Sequence, residues 1–175
     1  MTIFKISLLI IALIFLSGCG IYNLANFVVP DDLEFLAVIE DLNTPEKICE
    51  YMQENFEYGL SLWIAYSPYQ MWLLNTQNKT GDCNDYSCFA VFVANWHGYE
   101  TYQMNITYEN YSIRHLLAIF VENDKYNYSS DAYYYPIQVN TFREIIEHHC
   151  NTFNTGWRSY KVFDYEMNIM ESEDF

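Results

Sequence analysis

Gly81-Asp82-Cys83-Asn84-Asp85-Tyr86-Ser87, running on into the apolar stretch Cys88–Trp96, decides how this chain folds. From Asp85 to Trp96 apolar residues occupy nearly every side. Tyr86, Phe89, Ala90, Val93 and His97 recur at helical spacing, and Cys88, Val91 and Phe92 cover much of the opposite side. A helix that is apolar all round is buried at the centre of a fold. Gly98 ends it. A cysteine in the first turn of such a helix meets unpaired backbone amides and the positive end of the helix dipole, which favour the thiolate. Thiolate is the form that attacks carbonyl carbon, and the Cys83 amide stands where it can help hold an oxyanion. Gly81 allows a tight turn and a close approach of substrate backbone.

Downstream the pattern changes to strands. Glu100–Thr107, His115–Glu122 and Lys125–Tyr128 read as strands, with Asn123-Asp124 as a tight hairpin turn. Thr141-Phe142-Arg143-Glu144 is a capping box that opens a helix, and Trp157–Phe163 reads as a last strand. Upstream, Pro30-Asp31-Asp32 and Thr44-Pro45-Glu46 open two helices, striped by Leu33, Leu36, Ile39 and Leu42, then by Ile48, Tyr51, Met52 and Phe56. Residues 60–80 read as irregular and aromatic. The expected fold is α+β: N-terminal helices and a central helix packed on an antiparallel sheet.

A thiolate nucleophile needs a proton shuttle. His115 begins the apolar strand His115–Phe120 and so projects from a rigid edge. A third group should orient the imidazole. Asp131 follows the next strand, and a hairpin brings the start of the first strand beside the end of the second. His148 and His149, late in a capped helix, suit the negative end of its dipole. His97 reads as packed or surface.

The chain has 175 residues, 8 basic and 23 acidic, for a net charge of −15. So acidic a chain is unsuited to neutralising phosphates, which excludes nucleic-acid partners, or to adhering to anionic lipid. It begins Met1-Thr2-Ile3-Phe4-Lys5, followed by an apolar run from Ile6 to Phe15 broken only by Ser7, then Leu16-Ser17-Gly18-Cys19. The run is short of the ~20 apolar residues of a membrane span and reads as a secretory signal. Leu16–Cys19 resembles the lipobox of bacterial lipoproteins, where the cysteine is lipidated and becomes the new N-terminus. Residues 1–18 are then a signal peptide, 19–30 a lipidated tether, 31–165 the folded domain and 166–175 a loose acidic tail. Losing Lys5 takes the net charge to −16, so attachment to the membrane rests on lipid at Cys19 alone. Export permits disulfides among Cys49, Cys83, Cys88 and Cys150. With no Cys-x-x-Cys pair, and His148-His149-Cys150 too compact for a tetrahedral site, neither metal nor organic cofactor is expected.

Gly81-Asp82-Cys83-Asn84-Asp85-Tyr86-Ser87, a helix, two strands, His115 at a strand start and Asp131 after the next strand together resemble the transglutaminase-like superfamily. The resemblance covers roughly residues 45–135. It implies a papain-like core with Cys83 as nucleophile, His115 as general base and acid, and Asp131 as its orienting group. Gly81 and Asp85 belong to the supporting motif. Two departures stand out: Leu116-Leu117 follow the histidine where the family often has Ala-Trp, and Ala132-Tyr133 follow the aspartate in place of Pro or Thr. Gln70 and Trp72 are candidate oxyanion side chains. The implied activity is hydrolysis or acyl transfer at amide bonds of a protein or peptide, including cell-wall or envelope peptides, on the exported side of the membrane. The rival readings are a noncatalytic peptide- or glycan-binding module, with its surface on residues 60–72 and Tyr133–Tyr135, and a papain-like cell-wall peptidase of another family.

Overall fold

The computed structural model describes residues 22–59, 65–75, 77, 80–109 and 114–174. The fold is α+β. The N-terminal side supplies α1 (Leu33–Asp41), α2 (Pro45–Asn55), α3 (Pro68–Asn75) and α4 (Cys83–Trp96), with a short parallel pairing of β1 (Glu57–Tyr58) and β2 (Thr80–Gly81). Next come β3 (Thr101–Tyr108), β4 (Arg114–Glu122), β5 (Lys125–Ser130) and β6 (Tyr133–Val139), then α5 (Phe142–Thr152), β7 (Trp157–Asp164) and β8 (Ile169–Asp174). Strands β3 to β8 form one antiparallel sheet in the order β6-β5-β4-β3-β7-β8.

Local chemistry starts each helix. The Asp32 side chain accepts from the Glu34 and Phe35 amides, and Thr44 accepts from Lys47 ahead of Pro45. Thr141 and Glu144 close a reciprocal capping box. Gly98, at φ 82°, ends α4 in the left-handed region that glycine adopts without strain. Asn123 and Asp124, both at positive φ, make the two-residue turn between Glu122 and Lys125.

The sheet separates two cores. On one face lies α4, buried from Asn84 to Ala94, with Phe35 and Ile39 of α1, Met52 of α2, and Ala118 and Phe120 of β4. Phe56 and Phe89 meet edge to face at 4.9 Å, and Phe27 and Phe92 at 5.1 Å. On the other face α5 packs Phe142, Ile145 and Ile146 against Met104, Ile106, Leu117, Ile119 and Val162. Successive strand residues point to opposite faces. Even-numbered residues of β4 therefore meet α4, and odd-numbered ones meet α5.

Three expectations change, and one strand, Tyr133–Val139, carried no assignment from the sequence. Residues 68–75 form a helix, not an irregular loop: Ser67 Oγ caps it by accepting from the Gln70 amide, and Pro68 opens it. Tyr133–Val139 pair as an edge strand although Pro136 interrupts them, since an edge tolerates a missing donor. The acidic end is not loose, because Ile169–Asp174 pair with β7 and Glu173 bridges Arg143 at 2.9 Å. The chain also enters the fold before residue 31, with Leu24 buried beside Phe27 in the α4 core. Cys19 and the whole signal segment lie outside the described residues.

Two substitutions separate core from cap. Phe89→Ala, in the α4 core, is expected to cost about 3–5 kcal/mol. Thr141→Ala is expected to cost about 1 kcal/mol. Urea unfolding at constant slope checks both; similar costs at the two positions would contradict the assignment of α4 as the central element.

Candidate active site

Cys83 is set by a cap. Asp82 is the N-cap of α4, with its Oδ1 accepting from the Asn84 amide at 3.0 Å. Asp85, fully buried, reaches back: its Oδ2 accepts from the Asp82 amide at 2.8 Å and its Oδ1 from the Tyr66 amide at 2.6 Å. One carboxyl group thus closes the capping box and ties the entry of α3 to it. A Cβ on Gly81 would meet the Met71 sulfur at 2.6 Å and Asp85 Cβ at 3.1 Å. Bare backbone is what fits there. Cys83 takes the first helical position.

The four described cysteines all remain thiols, and no disulfide joins them. Cys49, Cys88 and Cys150 are buried, while Cys83 is half-buried. Burial pushes Cys49 up to about 12 and Cys150 up to about 11, and raises Cys88 well above the ordinary thiol value. Among these four, Cys83 alone combines access with a helix N-terminus.

Topology brings the other residues to the same end of the sheet. A short link, His97–Glu100, joins the end of α4 to the start of β3, so α4 runs back along the sheet. Fourteen residues of helix span about 21 Å, and eight of strand about 26 Å. The Cys83 end of α4 therefore overlies the end of the sheet that holds Tyr108, His115, Ser130 and Asp131. Burial raises the phenols of Tyr58 and Tyr108, and charge at both Cys83 and Asp131 raises them further.

The side chains divide between faces. His115 is on an odd-numbered position of β4 and turns to the α5 face, whereas Cys83 belongs to the helix on the opposite face. The His115 ring stacks on His149 of α5, 5.4 Å away and 15° from parallel, and faces Tyr108 at 6.5 Å. His149 Nε2 is bonded to the Tyr108 hydroxyl at 2.8 Å, and its Nδ1 is buried without a partner. The expected His115–Asp131 hydrogen bond does not form. His115 Nε2 is bonded instead to Ser130 Oγ at 2.9 Å, and Asp131 Oδ1 is buried without a partner. Strand alternation is the reason. Ser130 pairs with Leu117 and shares the face of His115, while Asp131 lies in the following turn at φ 50°.

A cavity of about 320 Å³ opens here, lined by Tyr108, His115, Ser130, Asp131, His149 and Phe153 among others. Tyr133 lines it too. Tyr69 and Trp72 do not: they stack on each other at 5.7 Å and pack against Phe35. That burial removes Trp72 from any oxyanion role. Gln70 spends its carbonyl on the Ser67 amide. Tyr134 and Tyr135 pack into the two cores, and Trp63 lies outside the described residues. His97 bonds the Ile39 carbonyl at 2.7 Å, at the far end of α4. His148 contacts Tyr128 at 3.0 Å. No group of three His, Cys, Asp or Glu among the described residues is placed to hold a metal ion.

Ser130 and Tyr108 were not singled out by sequence, and His149 was read only as complementing its helix dipole. His149 had a readable signal, since Phe142, Ile145, Ile146, His149 and Cys150 form the inward stripe of α5. The chain matches no protein-family model and no curated protein.

Burial lowers His115 to about 4 and His149 to about 3, so both imidazoles are neutral at pH 7. Burial, helped by Asp82, pushes Asp131 up to about 6. The two effects oppose each other in acid. The histidines add stability above their unfolded value near 6.5 and lose it as pH falls toward 4. Asp131 adds stability at low pH and loses it as pH rises through 6. His149→Gln is expected to flatten the loss of stability between pH 6.5 and 4, and Asp131→Asn to steepen it. Urea midpoints across that window check both; a change in the reverse direction in either variant contradicts these environments.

Proposed function

We propose that this chain is an exported, lipid-anchored cysteine enzyme of the transglutaminase-like, papain-like type, acting on amide bonds of proteins or peptides. What carries the reading is Cys83: an accessible thiol on the first turn of a buried helix, at the sheet end that also holds a neutral imidazole. In the proposed reaction His115 takes the thiol proton, and Cys83 sulfur bonds to the amide carbonyl carbon. The C–N bond breaks, and the amine leaves with the proton returned by His115. Water then releases the acid, or a second amine takes the acyl group. In the first step Nε2–H donates to Ser130 Oγ and leaves the Nδ1 lone pair to take the proton, so Ser130 holds the ring in the role expected of Asp131. Attachment is through lipid on Cys19, on the exported side of the membrane. The Leu16-Ser17-Gly18-Cys19 segment supports this.

A second reading has its own support. The Tyr108, His115 and His149 rings stand within 6.5 Å of one another in an aromatic-lined cavity on the α5 face. A noncatalytic module would use that cavity to hold a peptide or glycan.

Release of amine or ammonia from a peptide mixture, followed by mass spectrometry, separates the two. Cys83→Ala is expected to abolish release, and His115→Asn to lower it about 10²–10⁴-fold. Ser130→Ala is expected to cost about tenfold, the size of one lost hydrogen bond. Binding without release in the wild type, unchanged by Cys83→Ala, would contradict the enzyme and favour the module.

A further inference from the structure

Asp131 faces a second cavity. It has a volume of about 330 Å³ and lies between the end of α2 and the β5–β6 turn. Gln53, Phe56, Tyr58, Tyr86 and Tyr133 line it with Asp131. Among the described residues its lining contains no Lys, Arg or His. The rings stand close together: Tyr58 and Tyr86 are 5.9 Å apart, as are Phe56 and Tyr86. Tyr86 and Phe56 form the inner wall, while Tyr58 and Tyr133 are exposed at the rim.

The polar groups here are acceptors. Asp131 Oδ1 is buried without a hydrogen-bond partner. A buried acceptor left unpaired is costly, and a charged one more so. Gln53, which also lines the cavity, uses its amide N–H on the Ala132 carbonyl at 2.8 Å and keeps its own carbonyl oxygen as an acceptor. The charged neighbour acting on Asp131 is another acid, Asp82. The site thus presents carboxylate, amide and π faces, with no cation among the described residues.

We infer that this cavity binds a guanidinium group, the arginine side chain of a peptide ligand, with Asp131 as its anion. Three features select that chemistry. A guanidinium is planar and lies flat on aromatic faces. It offers a fork of N–H donors to a carboxylate, and a further N–H to the Gln53 carbonyl. It is also more weakly hydrated than an ammonium, which suits a half-enclosed pocket. The net charge of −15 adds a long-range pull on basic peptides.

Asp131 lines both this cavity and the one that holds His115. A bound arginine would therefore lie next to the proposed reacting end. The inference makes Asp131 a ligand-binding carboxylate, a role left open because Ser130 bonds the imidazole. It goes beyond the proposed chemistry and stands whether or not Cys83 reacts.

Calorimetric titration of the full chain carrying Cys83→Ala tests it without turnover. The probes are N-acetyl-arginine amide, N-acetyl-citrulline amide as its neutral isostere, and N-acetyl-lysine amide. Saturable binding of the arginine probe is expected, at least about tenfold tighter than either of the others. Asp131→Asn should weaken it by about tenfold or more. Tyr58→Leu, at the exposed rim where folding is little affected, should weaken it about threefold to tenfold. Equal binding of citrulline or lysine, no saturable binding, or insensitivity to both substitutions would overturn the inference. Because no turnover is measured, such a result would leave the thiol chemistry standing, and arginine binding by a protein that releases no amine would do the reverse.

Discussion

The Asp85 carboxyl group holds this structure together at its most consequential point. It is fully buried and accepts two backbone N–H groups, one from Asp82 and one from Tyr66. The first bond starts α4 at Cys83. The second fastens the entry of α3 against that start. A buried carboxyl group persists only when such donors meet it. Without them α4 would fray at the turn that presents the thiol, and Tyr66–Asn75 would lose its anchor. The same bonds explain why bare backbone is needed at Gly81, packed between Met71 and Asp85. Position of the cysteine, order of the aromatic segment and the close packing of the turn are one constraint.

The sheet supplies the second half of the site by geometry alone. Its antiparallel register gathers Tyr108, His115, Ser130 and Asp131 at one end, and the short link from α4 to β3 brings Cys83 to that end too. Alternation then sorts them by face. His115 and Ser130 go to the α5 side, where His149 and Tyr108 stack and bond around them. Asp131, in the turn, borders both cavities. Cys83 thus begins the helix on one face of the sheet, while the His115 imidazole turns to the other face at the same end.

Much of this was legible in the sequence. The all-apolar α4, its glycine stop, the hairpin at Asn123-Asp124 and the Thr141–Glu144 box follow from local rules that tertiary packing did not override, whereas the Asp82–Asp85 cap emerges only in the structure. Ser67-Pro68 repeats the Thr44-Pro45 signal, so α3 was readable, but its apolar residues on several sides hid the helical stripe. β6 was hidden by Pro136, and β8 by its acids, which sit comfortably on an exposed edge. The pairing of His115 with Ser130 needed register. A one-residue difference in a strand exchanges the face, and only the observed pairing of Leu117 with Ser130 fixes it.

The account depends on α4 activating Cys83. The direct measurement is the rate of Cys83 alkylation by iodoacetamide from pH 6 to pH 9, read by mass spectrometry at the Cys83 peptide. An ordinary thiol loses roughly two-hundredfold in rate over that span, because little thiolate remains at pH 6. The account predicts a loss of less than about tenfold at Cys83, and a steeper profile when Asp85→Ala loosens the helix start. A two-hundredfold loss in the wild type, or no labelling of the folded protein at Cys83, would contradict it.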